Sequence, residues 1–292
     1  MTARSGRALR RKIFSHSMTV LSGAAVVVVM IPLFWIIYEC VLLGGSHLTL
    51  NYFTQGTPTA CSTISCNAGG GLGLIQGSAV VVGLATLYAV PVGIAAAVFA
   101  VEYGGERGLA RALSMSADVL SGVPSIVVGV FVYVLVLYFD RSLVFSVFSG
   151  SLALGAIMLP IVMRTTEEAL RTVPHSVREA ALALGMARWK ISLRIVFISA
   201  LPGVLTGVLL SIARAVGEAA PLLILDNTNL HFISLNYPSE SMSLSIYLWA
   251  LTPYKNWTNL AWETALVLLI FVLVLSLASR LVLSRLSRKW KA

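Results

Sequence analysis

The constraint that acts first on this chain is a set of six long apolar runs, at about residues 17–43, 73–101, 119–139, 147–168, 198–225 and 262–284. Crossing a bilayer as a helix takes roughly 20 mostly apolar residues, and each run is that long. Hydrocarbon offers no partner to a backbone N–H or C=O, so such runs must satisfy their own hydrogen bonds as helices. Composition agrees, with 58% hydrophobic and only 11% charged residues, where soluble domains carry about 25% charged residues. The expected fold class is an all-α integral membrane protein of six spans.

Six spans put both termini on one side, and the basic residues say which. Lys and Arg gather in cytoplasmic connections. Here Arg4, Arg7, Arg10, Arg11 and Lys12 precede the first run, Arg107 and Arg111 follow the second, and Arg164, Arg171, Arg178, Arg188, Lys190 and Arg194 lie between the fourth and fifth. Arg280, Arg285, Arg288, Lys289 and Lys291 close the chain, whereas the opposite side holds only Arg141 and Lys255. The basic side is expected to be cytoplasmic, with residues 1–16 as a basic N-terminal segment and 17–292 as the membrane domain. The net charge of +9 follows from that topology and gives no reason to expect nucleic acid. The first run is too long for a removable signal peptide and lacks a small-residue cleavage pattern, so it is expected to stay.

The basic connection at about 169–197 contains the segment Pro174–Pro202, PHSVREAALALGMARWKISLRIVFISALP. Ser176 and Glu179 have the spacing of a capping box, which predicts a helix start there. Gly185 suits the left-handed residue that closes a helix, with Met186 folding back on the last turn. A helix of about ten residues carrying Val177, Ala180, Ala181, Leu182 and Leu184 has more apolar surface than water tolerates. Either it lies on lipid headgroups, held by Arg178 and Arg188, or it docks into a groove on another protein.

Inside the fifth run stands Arg214-Ala215-Val216-Gly217-Glu218, with Pro221 just beyond. Counted from Pro202 at about 1.5 Å per residue, Arg214 falls near mid-membrane, where a charge costs about 2.5–3.5 kcal/mol on insertion scales. Arg214 and Glu218 are four apart and can pair on one helix face. Two readings fit: a structural ion pair between spans, or a guanidinium fork that meets a passing oxyanion. Arg164, at the exit of the fourth run, reads from its position as an interfacial anchor that snorkels. The third run opens with Ser121-Gly122-Val123-Pro124-Ser125, which reads as a kink or as backbone facing protein or an aqueous cavity. Cys61 and Cys66 lie in the first outside connection and form a small disulfide or remain free thiols. The long connection at 226–261 is rich in aromatics, which mark a membrane interface or seat another protein.

No Gly-Lys dipeptide is present, so the chain has no phosphate loop for ATP. His-Glu-x-x-His and Gly-x-Ser-x-Gly are absent too, and the four histidines are scattered. Neither a metal site nor a catalytic site is expected.

Glu179-Ala180-Ala181, followed after three residues by Gly185, resembles the cytoplasmic loop of ABC importer permeases, although the Leu-Pro that ends that loop is replaced here by Phe197-Ile198. Val123-Pro124-Ser125-Ile126-Val127, the stretch Leu159–Glu168 and Arg214-x-x-Gly217-Glu218 are similar to segments of the phosphate-specific permeases of that class, nearest the second of their two permease subunits. The resemblance implies a six-span type I importer permease fold in a prokaryotic inner membrane, with no enzyme activity and no cofactor of its own. It implies a sister permease as heterodimer partner, two ATPase subunits that use the ATP, and an extracytoplasmic phosphate-binding protein. Glu179, Ala180, Ala181 and Gly185 would dock the ATPase, while Arg214, Glu218 and Arg164 would line the route. Glu218 would accept a hydrogen bond from a protonated phosphate, which fully deprotonated sulfate cannot offer. A permease for sulfate or molybdate, or an ATP-independent channel or carrier, is the alternative.

Overall fold

A computed structural model describes residues 3–58, 69–104, 108–225 and 239–289. Among them all regular structure is helical. The principal helices are α1 (Ala3–Glu39), α2 (Leu72–Val98), α3 (Gly108–Gly122), α4 (Ser125–Phe139), α5 (Val147–Arg171), α6 (His175–Ala183), α7 (Phe197–Gly217), α8 (Leu222–Leu225), α9 (Met242–Ala250) and α10 (Lys255–Lys289). Five continuous segments are long and apolar enough to cross a membrane: Arg11–His47, Leu72–Tyr103, Val147–Arg171, Arg188–Gly217 and Lys255–Leu281. A sixth exists only if α3 and α4, bent by 109°, count as one broken span.

Helix α5 is the hub. It packs most extensively on α2 and next on α7, and small residues let the backbones approach: Gly93 faces Val162, and Gly155 lies under the Tyr88 ring. The Tyr88 hydroxyl donates to the Ser151 carbonyl of α5. One core cluster joins the ends of α2, α5 and α7 to α6 through Ala97, Leu170, Ala181, Ile191 and Val204. A second fills the middle with Val82, Ala85, Leu154, Met158 and Val216. A third closes the end opposite α6, where Tyr52, Leu74, Met242, Trp249 and Leu260 are buried together. There Tyr52 donates to Thr264 Oγ1, Trp257 Nε1 to the Pro58 carbonyl, and Thr57 to Glu240. Of the described aromatics in the long connection, Trp249 and Trp257 stack on each other and Trp257 holds the loop at Pro58, rather than only marking an interface. Helix α1 stands apart, apolar and exposed, and meets α10 through the wide turn Cys40–Gly44, where Gly44 abuts Trp262 and Leu266.

Two expected spans differ. The third run is no single helix from 119: Pro124 has no N–H to give and disfavours helical geometry at Val123, so α3 ends at Gly122 and α4 begins at Ser125. The fifth run stops at Gly217, because Glu218 is extended at φ −82°, ψ 115°, and the chain turns before α8 resumes. Cys61 and Cys66 lie outside the described residues.

Candidate functional site

Both breaks occur in apolar runs, and both come to one place. Gly129 of α4 faces Pro221 so closely that a Cβ there would sit 2.8 Å from the Pro221 Cα. A cavity of about 100 Å³ opens beside this contact, lined by Ser121, Val123, Ser125 and Val128 of the α3–α4 elbow, Ile157, Pro160 and Ile161 of α5, and Arg214 of α7. Irregular backbone at membrane depth is tolerated where it is buried in protein or lines a cavity, and here it does the second.

Arg214 lies in the last turn of α7, not midway along a continuous span. The helical segment from Arg188 to Gly217 has 30 residues, about 45 Å at the usual rise, so the arginine sits near its far end. The negative end of the helix dipole favours a cation there. Glu218, just past the helix, accepts from Arg214 Nε at 3.2 Å. No other partner engages the guanidinium among the described residues, and its side chain is 58% exposed. Across the cavity α4 starts with Pro124 as its first flanking residue and no side-chain cap. Val127 and Val128 N–H reach the Pro124 carbonyl, and Ser125, the first residue of α4, lines the same space. Arg214 and the opening of α4 thus line one small cavity.

Arg164 is not at the end of its helix. It lies seven residues before Arg171, on the face of α5 that also carries Ile157 and Ile161. It forms an ion pair with Asp118 of α3 and another with Glu167 at 2.9 Å. Glu167, almost fully buried, also accepts from Ser114 Oγ at 2.6 Å. This four-residue network ties α3 to α5 one to two turns from the cavity. Asp118 and Ser114 carry no local sequence signal, because their partners lie some 50 residues away.

The loop helix α6 runs over nine residues, His175–Ala183. The expected capping box is absent: Pro174 precedes the helix in extended geometry, no side chain caps it, and Val177 N–H is satisfied by the Pro174 carbonyl. The closing residue is as expected. Gly185 has φ +75°, its N–H goes to the Leu182 carbonyl and Met186 N–H to the Ala181 carbonyl, which is the Schellman pattern. Glu179, Ala180 and Gly185 are exposed, as are Val177 and Leu184, whereas Ala181 is buried in the cluster with Leu170 and Ile191. Arg178 anchors the helix from beneath. Its Nε and Nη2 both reach Glu102 Oε1, at 3.1 and 2.7 Å, and its remaining donors take the carbonyls of Val173 and Leu170. Among the described residues no group of His, Cys, Asp and Glu has the geometry of a metal site.

A bundle with broken spans around an arginine and an exposed helix on a basic loop defines a membrane transport permease. Residues 89–292 match the family described as binding-protein-dependent transport system inner membrane component. The phosphate transport system permease protein PstA of Haemophilus influenzae is 38% identical across 93% of this chain and 94% of its own. The PstA of Xylella fastidiosa strain Temecula1 is 43% identical across 83% of each. The chain belongs to this family of transport components, in the group of PstA phosphate transport system permeases. The fold is shared with a chain of a bacterial alginate ABC transporter, at a TM-score of 0.62 and 15% identity over 97% of this chain and 96% of that one. A chain of the MetNI methionine ABC transporter gives 0.58 and 17% over 73% and 95%.

Proposed function

We infer that this chain is the transmembrane permease subunit of an ATP-driven phosphate importer and forms half of the translocation route. The observation that carries the reading is Arg214, whose fork is held by one hydrogen bond to Glu218 and otherwise faces the cavity below the α4 N-terminus. Arginine binds a tetrahedral anion through two oxygens, and Glu218 accepts from the proton that phosphate retains near neutral pH. Arg164, a little further along the same face of α5, is the next station, released from Asp118 when the anion takes its place. The basic loop faces the cytoplasm, as do both termini. The apolar outer side of α6, with Glu179, Ala180 and Gly185, docks an ATPase subunit, and Arg178 passes its movement to α2 and α5. A sister permease supplies the other half of the route. Two ATPase subunits supply the ATP hydrolysis, and an extracytoplasmic binding protein delivers phosphate to the end where Tyr52 and Trp249 are packed.

The test is uptake of radiolabelled phosphate into vesicles holding the whole complex, with and without ATP, for wild type and Arg214→Gln, with sulfate as competitor. ATP-dependent uptake that sulfate leaves unchanged and the variant lacks is expected. Equal inhibition by sulfate or molybdate would reassign the ion, and uptake indifferent to ATP would make the chain a channel or carrier. Glu179→Lys should detach or uncouple the ATPase, and an intact, coupled complex would remove the docking assignment.

A further inference from the structure

A second cavity, of about 540 Å³, opens at the α6 end of the bundle, far along α5 and α7 from Arg214. Three membrane segments end at its walls: α2 with its continuation contributes Ala100 to Glu102, α5 contributes Arg171, and the start of the fifth segment contributes Arg188, Ile191 and Ser192. Helix α6 supplies His175, Arg178 and Leu182, spaced so that they share one face, while Glu179 and Ala180 do not line the cavity.

Charge in this space is unbalanced. Glu102 is the one carboxylate among the lining residues, and it is taken by Arg178 and by Ser192 Oγ at 3.3 Å. Arg171 and Arg188 have no acidic partner among the described residues, and with the His175 ring they line a concave space whose one carboxylate, Glu102, is already engaged. Like charges confined at a low-dielectric wall repel, and an added anion relieves this. Guanidinium groups match the oxygens of phosphate in pairs. The apolar wall of Ala100, Val101, Leu182 and Ile191 thins the water around such an ion, which strengthens each contact.

We propose that Arg171, Arg188 and His175 form a binding site for a phosphate-bearing anion at the cytoplasmic foot of the bundle, separate from the Arg214 cavity and seated behind the docking helix. The ligand is the phosphate group of an anionic lipid or free inorganic phosphate. In either case the bound group bridges α6 to the ends of α5 and the fifth span, and its occupancy stiffens the segment that docks the ATPase. The site depends on the membrane placement inferred above but not on which ion is transported.

The experiment uses the purified whole complex. In one arm, detergent-extracted complex is offered phosphatidylglycerol and phosphatidylcholine in equal amounts, and retained lipid is counted by native mass spectrometry for wild type and Arg171→Gln/Arg188→Gln. In the other, radiolabelled inorganic phosphate binding is measured by equilibrium dialysis without the binding protein and in an Arg214→Gln background, so that the first station of the pathway is absent from both samples compared. Loss of a charge-assisted contact weakens binding by about tenfold, so the double variant should lose about a hundredfold. Selective loss of phosphatidylglycerol identifies a lipid; loss of inorganic phosphate identifies the free ion. Arg171→Lys/Arg188→Lys should restore most of the binding. If neither anion distinguishes the double glutamine variant from wild type, or phosphatidylcholine is lost equally, the proposal is wrong. Should the double variant fail to assemble, Arg188→Gln alone, at an exposed position, carries the same comparison with about a tenfold expected loss.

Discussion

Two of the three arginine–glutamate pairs among the described residues have the same chemistry and opposite states. Arg178 donates four hydrogen bonds, two to Glu102 and two to backbone carbonyls, and both side chains are largely buried. Arg214 donates one, to Glu218, beside a cavity. A guanidinium with four of its five N–H groups engaged inside the protein is a fastener. Arg214, with its side chain 58% exposed, keeps its other N–H groups open toward the cavity between two helix breaks. On the function proposed above, the difference in saturation is what separates a structural pair from a working one, which residue type alone does not.

The largest effects should divide along that line. Arg214→Gln should abolish phosphate uptake, a fall of about a hundredfold or more as expected when a preorganised electrostatic contact to a moving charge is removed, and leave thermal stability and assembly near wild type. Arg178→Gln should do the reverse first. It leaves Glu102 short of a cation and two carbonyls short of donors, a change worth about 3–5 kcal/mol for a buried pair. A lowered midpoint for thermal unfolding of the complex and loss of co-purifying ATPase are expected. Normal uptake in the first variant would reduce Arg214 to a fastener like the other, and an unaltered melting midpoint in the second would erase the contrast from the opposite side.

Gly129→Ala sharpens the part of the comparison that concerns room. Its added methyl would press on the Pro221 backbone at 2.8–2.9 Å, and overpacking of this kind costs about 1–3 kcal/mol. Separation of α4 from the turn after α7 should cut uptake severalfold with ATPase docking unaltered. Unchanged uptake would show that the two breaks need not touch. At the other pair the corresponding change is Gly185→Ala, where no atom lies within 4 Å of the new Cβ. Only the left-handed backbone resists, at about 1–2 kcal/mol. A modest drop in ATPase retention, well below that of Arg178→Gln, is the expected result.

Much of this was legible in the residues before any coordinates, and the rest was hidden for physical reasons. Long apolar runs announce spans because length and hydropathy are local. The breaks are harder to see, since Val123-Pro124 and Glu218–Pro221 interrupt runs that stay apolar on both sides. Pro124 marked a kink, but nothing local says that the elbow and the end of α7 share a cavity. The Arg214–Glu218 pair was visible through its i, i+4 spacing. Arg178–Glu102 was not, because 76 residues separate the partners. Gly185 was readable because a backbone conformation follows from one residue type. The Ser176–Glu179 box misled because Pro174 starts the helix with its own carbonyl and leaves the serine no N–H to cap.

A further glutamate tests what happens when no arginine is supplied at all. Glu240, in the connection ahead of α9, is buried, and among the described residues Thr57 Oγ1 is what donates to it, at 2.7 Å. Burial pushes its carboxyl up to about 7, against the opposing pull of the Thr57 hydrogen bond. A carboxyl with a raised folded-state value binds its proton more tightly in the native protein than in the unfolded one, so stability falls as pH rises. The fall begins near the ordinary value of about 4.5 and is complete above about 7. Glu240→Gln keeps the shape and removes the charge, so it should gain little at about pH 5 and most at about pH 8, flattening the pH dependence of unfolding measured through Trp249 and Trp257 fluorescence. A profile of the same steepness in wild type and variant would mean that Glu240 is already paired with a cation. It would then belong with Glu102 rather than stand apart from both arginine pairs.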